Sequence, residues 1–198
     1  MLEQIDHSLA VALGERDRNT GEHCQRVIGL SLALGVHIGL NRHELDVLAT
    51  SARLHDIGKI GIPDRILGKP AAFEADEWAC MQQHPLIGER IVRAIGGDHA
   101  NEVATVVRHH HEHFDGSGYP DKLRGTDIPL YARIISLTDC YDAMAEPRPY
   151  HRGRTHSEVM AILDSEAGIK HDPDLLHAFR SLIDTPERAG NQAPSFSG

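Results

Sequence analysis

The sequence predicts an all-α fold, a compact single-domain helical bundle. Apolar residues recur at intervals of three and four, as in Val27, Leu30, Leu34 and Ile38, which is the spacing of one helix face. The 198 residues suit one domain, and 40% of them are hydrophobic, which is enough for a core of its own. No β-hairpin pattern occurs in the sequence. We therefore expect helices throughout.

Capping and breaking residues place the helices in order. Asn41 precedes Glu44 by three positions and Thr155 precedes Glu158 likewise, the pattern that satisfies free amides in a first helical turn. Pro85 suits the start of another helix, where its missing amide hydrogen costs nothing. With the apolar periodicity, these residues predict helices near 2–14, 20–38, 42–57, 74–82, 85–95, 98–111, 129–145, 155–167 and 173–183.

Two long segments, 58–73 and 112–128, are predicted to be loops. Both are rich in Gly and Pro, and loops of this length in a compact domain are usually functional. We expect one domain over residues 1–185. Residues 186–198 lack periodicity and contain Gly, Asn, Gln, Pro and Ser, so we expect a disordered tail.

Composition and charge exclude several classes of function. Asp and Glu number 29 against 20 Lys and Arg, a net charge of −9, which disfavours binding to duplex nucleic acid or to anionic membrane. Charged residues interrupt every apolar stretch before it could span a bilayer, and the amino terminus does not resemble a secretory signal. Three widely spaced cysteines suit neither a disulfide framework nor a zinc ribbon. We expect a cytoplasmic protein without membrane insertion.

The chain contains 15 histidines, and histidine is the commonest metal ligand. Several lie with aspartates at predicted helix ends or on inward faces, where an uncompensated polar group costs several kcal/mol. A shared cation would supply the compensation. Imidazole and carboxylate without thiolate favour iron, manganese, nickel or zinc. The candidate ligands are His23, His55, Asp56, His84, His110, His111 and Asp139.

Seven candidate ligands exceed the needs of one ion. Adjacent helical residues point about 100° apart, so His110 and His111, or His55 and Asp56, could reach two centres at the spacing of two-metal hydrolases. We therefore expect a dinuclear site in the core. His109 falls outside this set, and we expect it behind the ligands or at the surface.

Four motifs occur in order along most of the chain, from about residue 16 to residue 179. They are HDIGKIGIPDRIL at 55–67, HHEHFDGSGYP at 110–120, IPLYARIISLTDCYDAM at 128–144 and RPY at 148–150, with KP at 69–70. In these motifs the chain resembles the HD-GYP family of cyclic di-GMP phosphodiesterases. The resemblance implies a helical bundle of the HD-domain type and hydrolysis of cyclic di-GMP to linear pGpG, and to GMP if hydrolysis continues.

The resemblance also implies roles for the ligands. One metal would be held by His23, His55, Asp56 and Asp139. Asp56 would bridge to a second metal, held by His84, His110 and His111. Asp56 and Lys59 would be the catalytic residues, with Lys59 facing the scissile phosphate.

The same resemblance implies substrate and partner contacts. Besides Lys59, it points to Asp142, Arg148 and His151 as substrate-binding residues. A loop formed by Gly116, Gly118, Tyr119 and Pro120 would border the substrate and offer a docking surface for other signalling domains. From the residues themselves, Gly116 and Gly118 permit left-handed turn conformations.

The chain departs from the family pattern at two positions relevant to this site. Asn19 stands where family members with three metals have a glutamate, so two ions are expected, and His151 stands where the family usually has Arg or Lys. Two alternatives remain open: an HD-type hydrolase of another nucleotide such as ppGpp or a dNTP, and a catalytically weak receptor that binds cyclic di-GMP or a partner.

Overall fold

The computed structural model describes residue 14, residues 20–146 and residues 153–184. Within these residues the fold is all-α, as the sequence predicts, with only an isolated bridge between Ala167 and His171. Short 3₁₀ helices occupy Ile57–Gly61 and Gly125–Asp127. The α-helices of the described residues are α1 (Thr20–His37), α2 (Arg42–Leu54), α3 (Asp64–Leu67), α4 (Ala75–Met81), α5 (His84–Ile95), α6 (Ala100–His109), α7 (Leu130–Ala145), α8 (His156–Ser165) and α9 (Pro173–Ile183).

Both predicted capping boxes are present. The Asn41 side chain accepts from the Glu44 amide and the Glu44 carboxylate accepts from the Asn41 amide at the start of α2. Thr155 and Glu158 do the same at the start of α8. Pro85 lies in the first turn of α5. The helix starts were therefore readable from local hydrogen-bonding chemistry.

Several predicted boundaries are wrong. Helix α2 ends at Leu54 rather than at 57, and the chain then tightens into the first 3₁₀ helix. The segment 58–73, predicted as a loop, contains the short helix α3, and α6 ends at His109 rather than at 111. The predicted helix at 2–14 and the predicted tail at 186–198 lie outside the described residues, so the domain limits stay predictions.

The main hydrophobic core lies between α1, α2, α7, α8 and α9. Its fully buried members include Leu34, Leu48, Ile135, Leu163 and Phe179. Inside it, a buried hydrogen bond of 2.8 Å joins the Ser31 and Thr138 hydroxyls and so pairs the polar groups of α1 and α7. None of the described helices combines the length and hydrophobicity that crossing a bilayer requires.

A second core cluster packs α5 and α6 against the other side of α2. Its buried members include Val47, Ile57, Val92 and Val107. At Gly58 the backbone of the first 3₁₀ helix approaches α5 so closely that a Cβ would lie 1.8 Å from the His84 carbonyl oxygen. Only glycine permits this approach, which brings the end of α2 beside the start of α5.

Candidate metal centre

The seven predicted ligands assemble into two groups. In each group, one ligand atom per residue lies within 4.8 Å of the others. The residues come from the start of α1, the end of α2, the start of α5, the end of α6 and the middle of α7. The first group is Asp56, His84, His110 and His111, and the second is His23, His55 and Asp139.

Asp56 lies between the two groups. Its Oδ1 is 3.3 Å from His84 Nε2, in the first group, and its Oδ2 is 3.4 Å from His55 Nε2, in the second. One carboxylate oxygen therefore faces each group. This is the arrangement that a bridging carboxylate requires, and the bridging role of Asp56 stays a prediction.

Backbone carbonyls fix the tautomers of three ligand histidines. The Nδ1 atoms of His55, His84 and His110 each donate to the carbonyl three positions earlier, so each neutral ring carries its lone pair on Nε2. A turn of helix places each carbonyl beneath the ring. The acceptors are Ala52, Met81 and Val107, at 2.7, 2.8 and 2.7 Å.

These tautomers direct lone pairs at one another inside the protein. His84 Nε2 and His110 Nε2 are 3.3 Å apart, although neither neutral ring has a proton to donate there. His55 Nε2 is buried and faces Asp56 Oδ2 at 3.4 Å; burial lowers the pKa of His55, but the Asp56 charge outweighs it and raises that pKa. Buried electron-rich atoms in this arrangement need a cation between them. The residues therefore fit metal ions.

Proton affinities differ between the ligands of the first group. Burial lowers the pKa of His110 well below its usual range, with the His111 charge acting the same way. Burial and the His84 charge lower the pKa of His111 to about 3. Burial alone would raise the pKa of Asp56, but the charges of Lys59 and His55 hold it well below its usual range. At neutral pH, His110 and His111 are therefore uncharged and Asp56 is ionised, so none of the three has to release a proton before it binds a cation.

In the second group, the His23 ring is held between two carboxylates and keeps a proton. His23 Nε2 lies 3.0 Å from Asp139 Oδ1, and His23 Nδ1 lies 2.6 Å from Asp142 Oδ2. Burial lowers the pKa of His23, but hydrogen bonds to these two carboxylates outweigh it and raise the pKa to about 9. Burial raises the pKa of Asp139, but the His23 hydrogen bond and the His55 charge bring it to about 2. A metal here would replace the His23 proton.

Asp142, expected to contact substrate, has other partners in the structure. It is 4% exposed, and both of its oxygens are engaged. Besides His23, it accepts from Arg26 Nε at 2.7 Å and from a terminal Arg26 nitrogen at 3.1 Å. Asp142 thus holds the His23 ring in place. Arg26 is not among the predicted site residues, although its position three residues after His23 puts it on the same helix face.

Lys59 lies beside the ligands, with its Nζ 2.6 Å from Asp56 Oδ2 and its side chain 24% exposed. Its contact with a scissile phosphate stays a prediction. Arg148 and His151, the other predicted substrate contacts, lie outside the described residues.

The predicted loop borders the first group. The Tyr119 ring stacks on the His111 ring with centroids 5.0 Å apart, and the Tyr119–Pro120 peptide bond is cis. Gly116 adopts the left-handed conformation that glycine permits, with φ of 84°. Gly118 does not adopt it. That position needs glycine because a Cβ would lie 2.2 Å from the His113 amide nitrogen.

His109 is buried and lies outside the two ligand groups. Its Nε2 is 2.8 Å from Asp121 Oδ2, and Arg108 donates to both oxygens of the same carboxylate at 2.7 and 2.8 Å. The Asp121 amide donates to Glu112 at 2.7 Å. This network, which sequence reasoning missed, ties the loop to α6. Because the Arg108 guanidinium already balances the negative charge of Asp121, we do not infer a metal site at His109, Glu112 and Asp121.

A further group, His43, His99 and Glu102, is exposed at the surface. Water solvates each of these side chains, so no burial cost has to be offset by a cation. Burial thus distinguishes the two groups around Asp56 from this surface cluster.

Comparison with known proteins agrees with this arrangement. The family model described as HD domain matches residues 8–175. A 3'3'-cGAMP-specific phosphodiesterase 2 of Vibrio cholerae is 36% identical over 87% of this chain and 33% of its own length. The cyclic di-GMP phosphodiesterase response regulator RpfG of Xanthomonas campestris is 36% identical, over 86% and 45%. A cyclic di-GMP phosphodiesterase of Thermotoga maritima is 35% identical, over 92% and 51%.

The chain thus spans a third to a half of these relatives. Among solved structures, a cyclic GMP-AMP-specific phosphodiesterase of V. cholerae superposes with a TM-score of 0.73 over 96% of this chain and 50% of that one, at 21% identity. The HD domain of the L. monocytogenes phosphodiesterase PgpH gives a TM-score of 0.62 over 89% and 95%, at 16% identity. At these identities the likeness concerns the fold. From the match over residues 8–175, together with this fold, the chain belongs to the HD domain family.

Proposed function

We propose that this chain holds two divalent metal ions and hydrolyses cyclic di-GMP to pGpG, and to GMP if hydrolysis continues. The observation that carries the proposal is the convergence of the His84 and His55 Nε2 atoms on the two oxygens of the buried Asp56 carboxylate, with His110 Nε2 3.3 Å from His84 Nε2. HD-domain phosphohydrolases depend on metal ions. Relatives named cyclic di-GMP phosphodiesterases support the substrate.

The ligand positions suggest how the ions are held. His23, His55, Asp56 and Asp139 would hold one ion, and Asp56, His84, His110 and His111 the other. Bound there, a pair of divalent ions supplies Lewis acidity toward phosphate oxygens and lowers the pKa of water to near neutrality.

The protein contributes orientation and charge. Backbone carbonyls keep His55, His84 and His110 in the tautomer that directs Nε2 inward. The Lys59 ammonium, next to Asp56, places a fixed positive charge where a phosphate would approach. The stacked Tyr119 ring covers one side of His111 and helps exclude water.

The donor set constrains the metal. All seven ligands offer nitrogen or oxygen and none offers sulfur, which suits iron or manganese, with nickel and zinc as alternatives. Elemental analysis of protein purified without oxygen tests this part of the proposal. The expected result is two equivalents of metal per chain.

A second substrate is favoured by a specific observation. The V. cholerae relative at 36% identity is named as specific for 3'3'-cGAMP. That molecule carries the same kind of phosphodiester between two purine nucleosides, so the same metal site could act on it. Turnover of cyclic di-GMP and 3'3'-cGAMP in direct competition decides which is preferred.

The test of the activity is chromatography of the products formed from cyclic di-GMP by metal-loaded protein. We expect pGpG, and Asp56→Ala should lose bound metal and turnover together. The exposed His177→Ala serves as the control and should keep both. Bound metal without product would favour the receptor alternative, and full activity of Asp56→Ala would contradict the bridging role.

Partners and location follow from the same proposal. The loop at Gly116, Gly118, Tyr119 and Pro120 is our candidate docking surface for other signalling domains. We infer a cytoplasmic location, since Cys24, Cys80 and Cys140 are all free thiols, as is usual in a reducing compartment.

A further inference from the structure

A row of aromatic rings leads from the metal ligands to the protein surface. Tyr119 stacks on His111 with centroids 5.0 Å apart, and Trp78 meets Tyr119 edge-on with centroids 6.2 Å apart. Phe73 stacks against Trp78 at 6.2 Å with an interplanar angle of 22°. Aromatic side chains make up only 5% of the chain. Three of them are thus gathered in one row that ends at a metal ligand.

Trp78 is the exposed member of this row. Its side chain is 45% exposed. On the same short helix, α4, Met81 and Cys80 pack into the apolar cluster around Ile62 and Ile66, and Trp78 is not part of that cluster. The indole is therefore not needed for the core beneath α4.

Helix α4 holds the indole firmly in position. Glu77, the residue before Trp78, forms an ion pair with Lys69 and also accepts a hydrogen bond from the Glu74 amide at 2.8 Å. The side chains of Lys69 and Glu77 are only 23% and 14% exposed. Phe73 packs on the apolar cluster and supports the indole from one side. An exposed aromatic ring held this way needs little reordering to bind a flat ligand.

We propose that Trp78 is a stacking platform for a purine base of the substrate, next to the metal centre. This inference rests on the proposed function, because that function supplies a phosphodiester at the metals with nucleosides on either side. Two ring-to-ring steps separate Trp78 from His111, a span that one purine nucleotide can bridge.

The platform does not distinguish between bases. Every nucleobase has a π-face, so stacking on an aromatic side chain tolerates different sequences. Trp78 thus strengthens binding of cyclic di-GMP and 3'3'-cGAMP equally. Discrimination between the two belongs to other groups.

Fluorescence reports this contact directly, because Trp78 is the single tryptophan of the chain. We expect saturable quenching by GMP and by pGpG, and none by ribose 5-phosphate, with N-acetyltryptophanamide as the control for light absorption by guanine. Quenching that is absent, or equal for ribose 5-phosphate and GMP, would overturn the proposal.

Kinetics of Trp78→Ala and Trp78→Phe provide the second test. Stacking energies per base correspond to a rise in KM of about 5- to 150-fold for Trp78→Ala, with the same factor for both cyclic dinucleotides. Trp78→Phe keeps an aromatic face and should recover most of the loss. Val36→Ala removes another exposed apolar side chain, about 20 Å along α1 from His23, and should change nothing.

The turnover number at saturating cyclic di-GMP and the metal content separate this proposal from the proposed function. Both depend on the metal centre rather than on the platform, so both should be equal in wild type and Trp78→Ala. Failure of wild type to hydrolyse any diester would refute the proposed function while leaving the fluorescence test intact. Unchanged KM in Trp78→Ala would refute the platform and leave Trp78 as a partner-docking residue.

Discussion

At the scale of single residues, the site depends on groups that orient the ligands as much as on the ligands themselves. Arg26 donates to both oxygens of Asp142, and Asp142 in turn contacts His23 Nδ1 at 2.6 Å. A carboxylate behind a ligating histidine fixes the ring and raises its basicity. This chain of contacts directs His23 Nε2 at Asp139.

Asp142→Asn should weaken metal binding by about 10- to 100-fold, the usual effect of removing such an outer partner. The amide keeps the shape of the carboxylate but loses the charge that holds Arg26 and His23. Competition with a chelator of known affinity measures the loss. Asp164→Asn breaks the exposed pair with Arg180 instead and should leave the affinity unchanged; equal effects of both variants would contradict the orienting role.

The metal-free protein should be most stable near pH 6.5, the ordinary pKa of histidine. The pKa of His111 is lowered to about 3, so the unfolded chain takes up a proton that the folded chain refuses, and the free energy of unfolding falls as pH drops below 6.5. The pKa of His23 is raised to about 9. Its stabilisation is complete below pH 6.5 and is lost as pH rises toward 9.

Urea denaturation after chelation, at about pH 5, 6.5 and 8.5, measures both slopes. The uptake or release of a single proton changes the free energy of unfolding by at most about 1.4 kcal/mol per pH unit. His111→Gln should flatten the acid side of the curve and His23→Gln the alkaline side. In the metal-free protein, a stability that rises steadily from pH 5 to pH 8.5 would contradict the His23 assignment, and one that falls steadily over that range would contradict the His111 assignment.

At the scale of elements, glycine determines how closely the ligand-bearing helices approach. A Cβ at Gly58 would lie 1.8 Å from the His84 carbonyl oxygen and 2.6 Å from the Gly88 amide nitrogen. Both obstacles are backbone atoms of α5, which cannot rotate away as a side chain can. The contact between the first 3₁₀ helix and α5 therefore fixes the position of His84 relative to Asp56.

Gly58→Ala should destabilise the fold by about 3 kcal/mol or more, since the backbone has to move, and should reduce metal binding through His84. Gly29→Ala is the matched control. Gly29 lies exposed inside α1 with no atom within 4 Å of its Cβ position, so alanine should stabilise by about 0.5–1 kcal/mol. Chemical denaturation of both variants measures the contrast, and equal changes would refute it.

At the scale of the whole molecule, the site joins parts of the chain that are distant in sequence. His23 and Asp139 stand on α1 and α7, which pack in the main core, whereas His84 begins α5 and His110 directly follows α6, the two helices that pack in the second cluster. Asp56 connects the two halves. Metal binding should therefore stabilise the whole fold rather than one local segment.

Removing the metal should lower the melting temperature in a single cooperative transition. A ligand at a hundredfold excess over its dissociation constant contributes about 2.7 kcal/mol, and the thermal shift on adding Mn²⁺ back measures it. Asp56→Ala should melt at the same temperature with and without Mn²⁺. A metal-dependent shift retained in that variant would place the stabilising ion elsewhere.

The sequence by itself determined the helical class, the capping boxes and the seven ligand types, because periodicity, caps and metal-ligand chemistry are local. It misplaced the ends of α2 and α6 because these depend on contacts with distant backbone. Only the tertiary structure decided that Asp142 supports His23, that Gly118 is required by close packing and that Trp78 adjoins Tyr119. Each of these depends on a distance between residues far apart in the chain, and such distances are set by packing of the helices against one another.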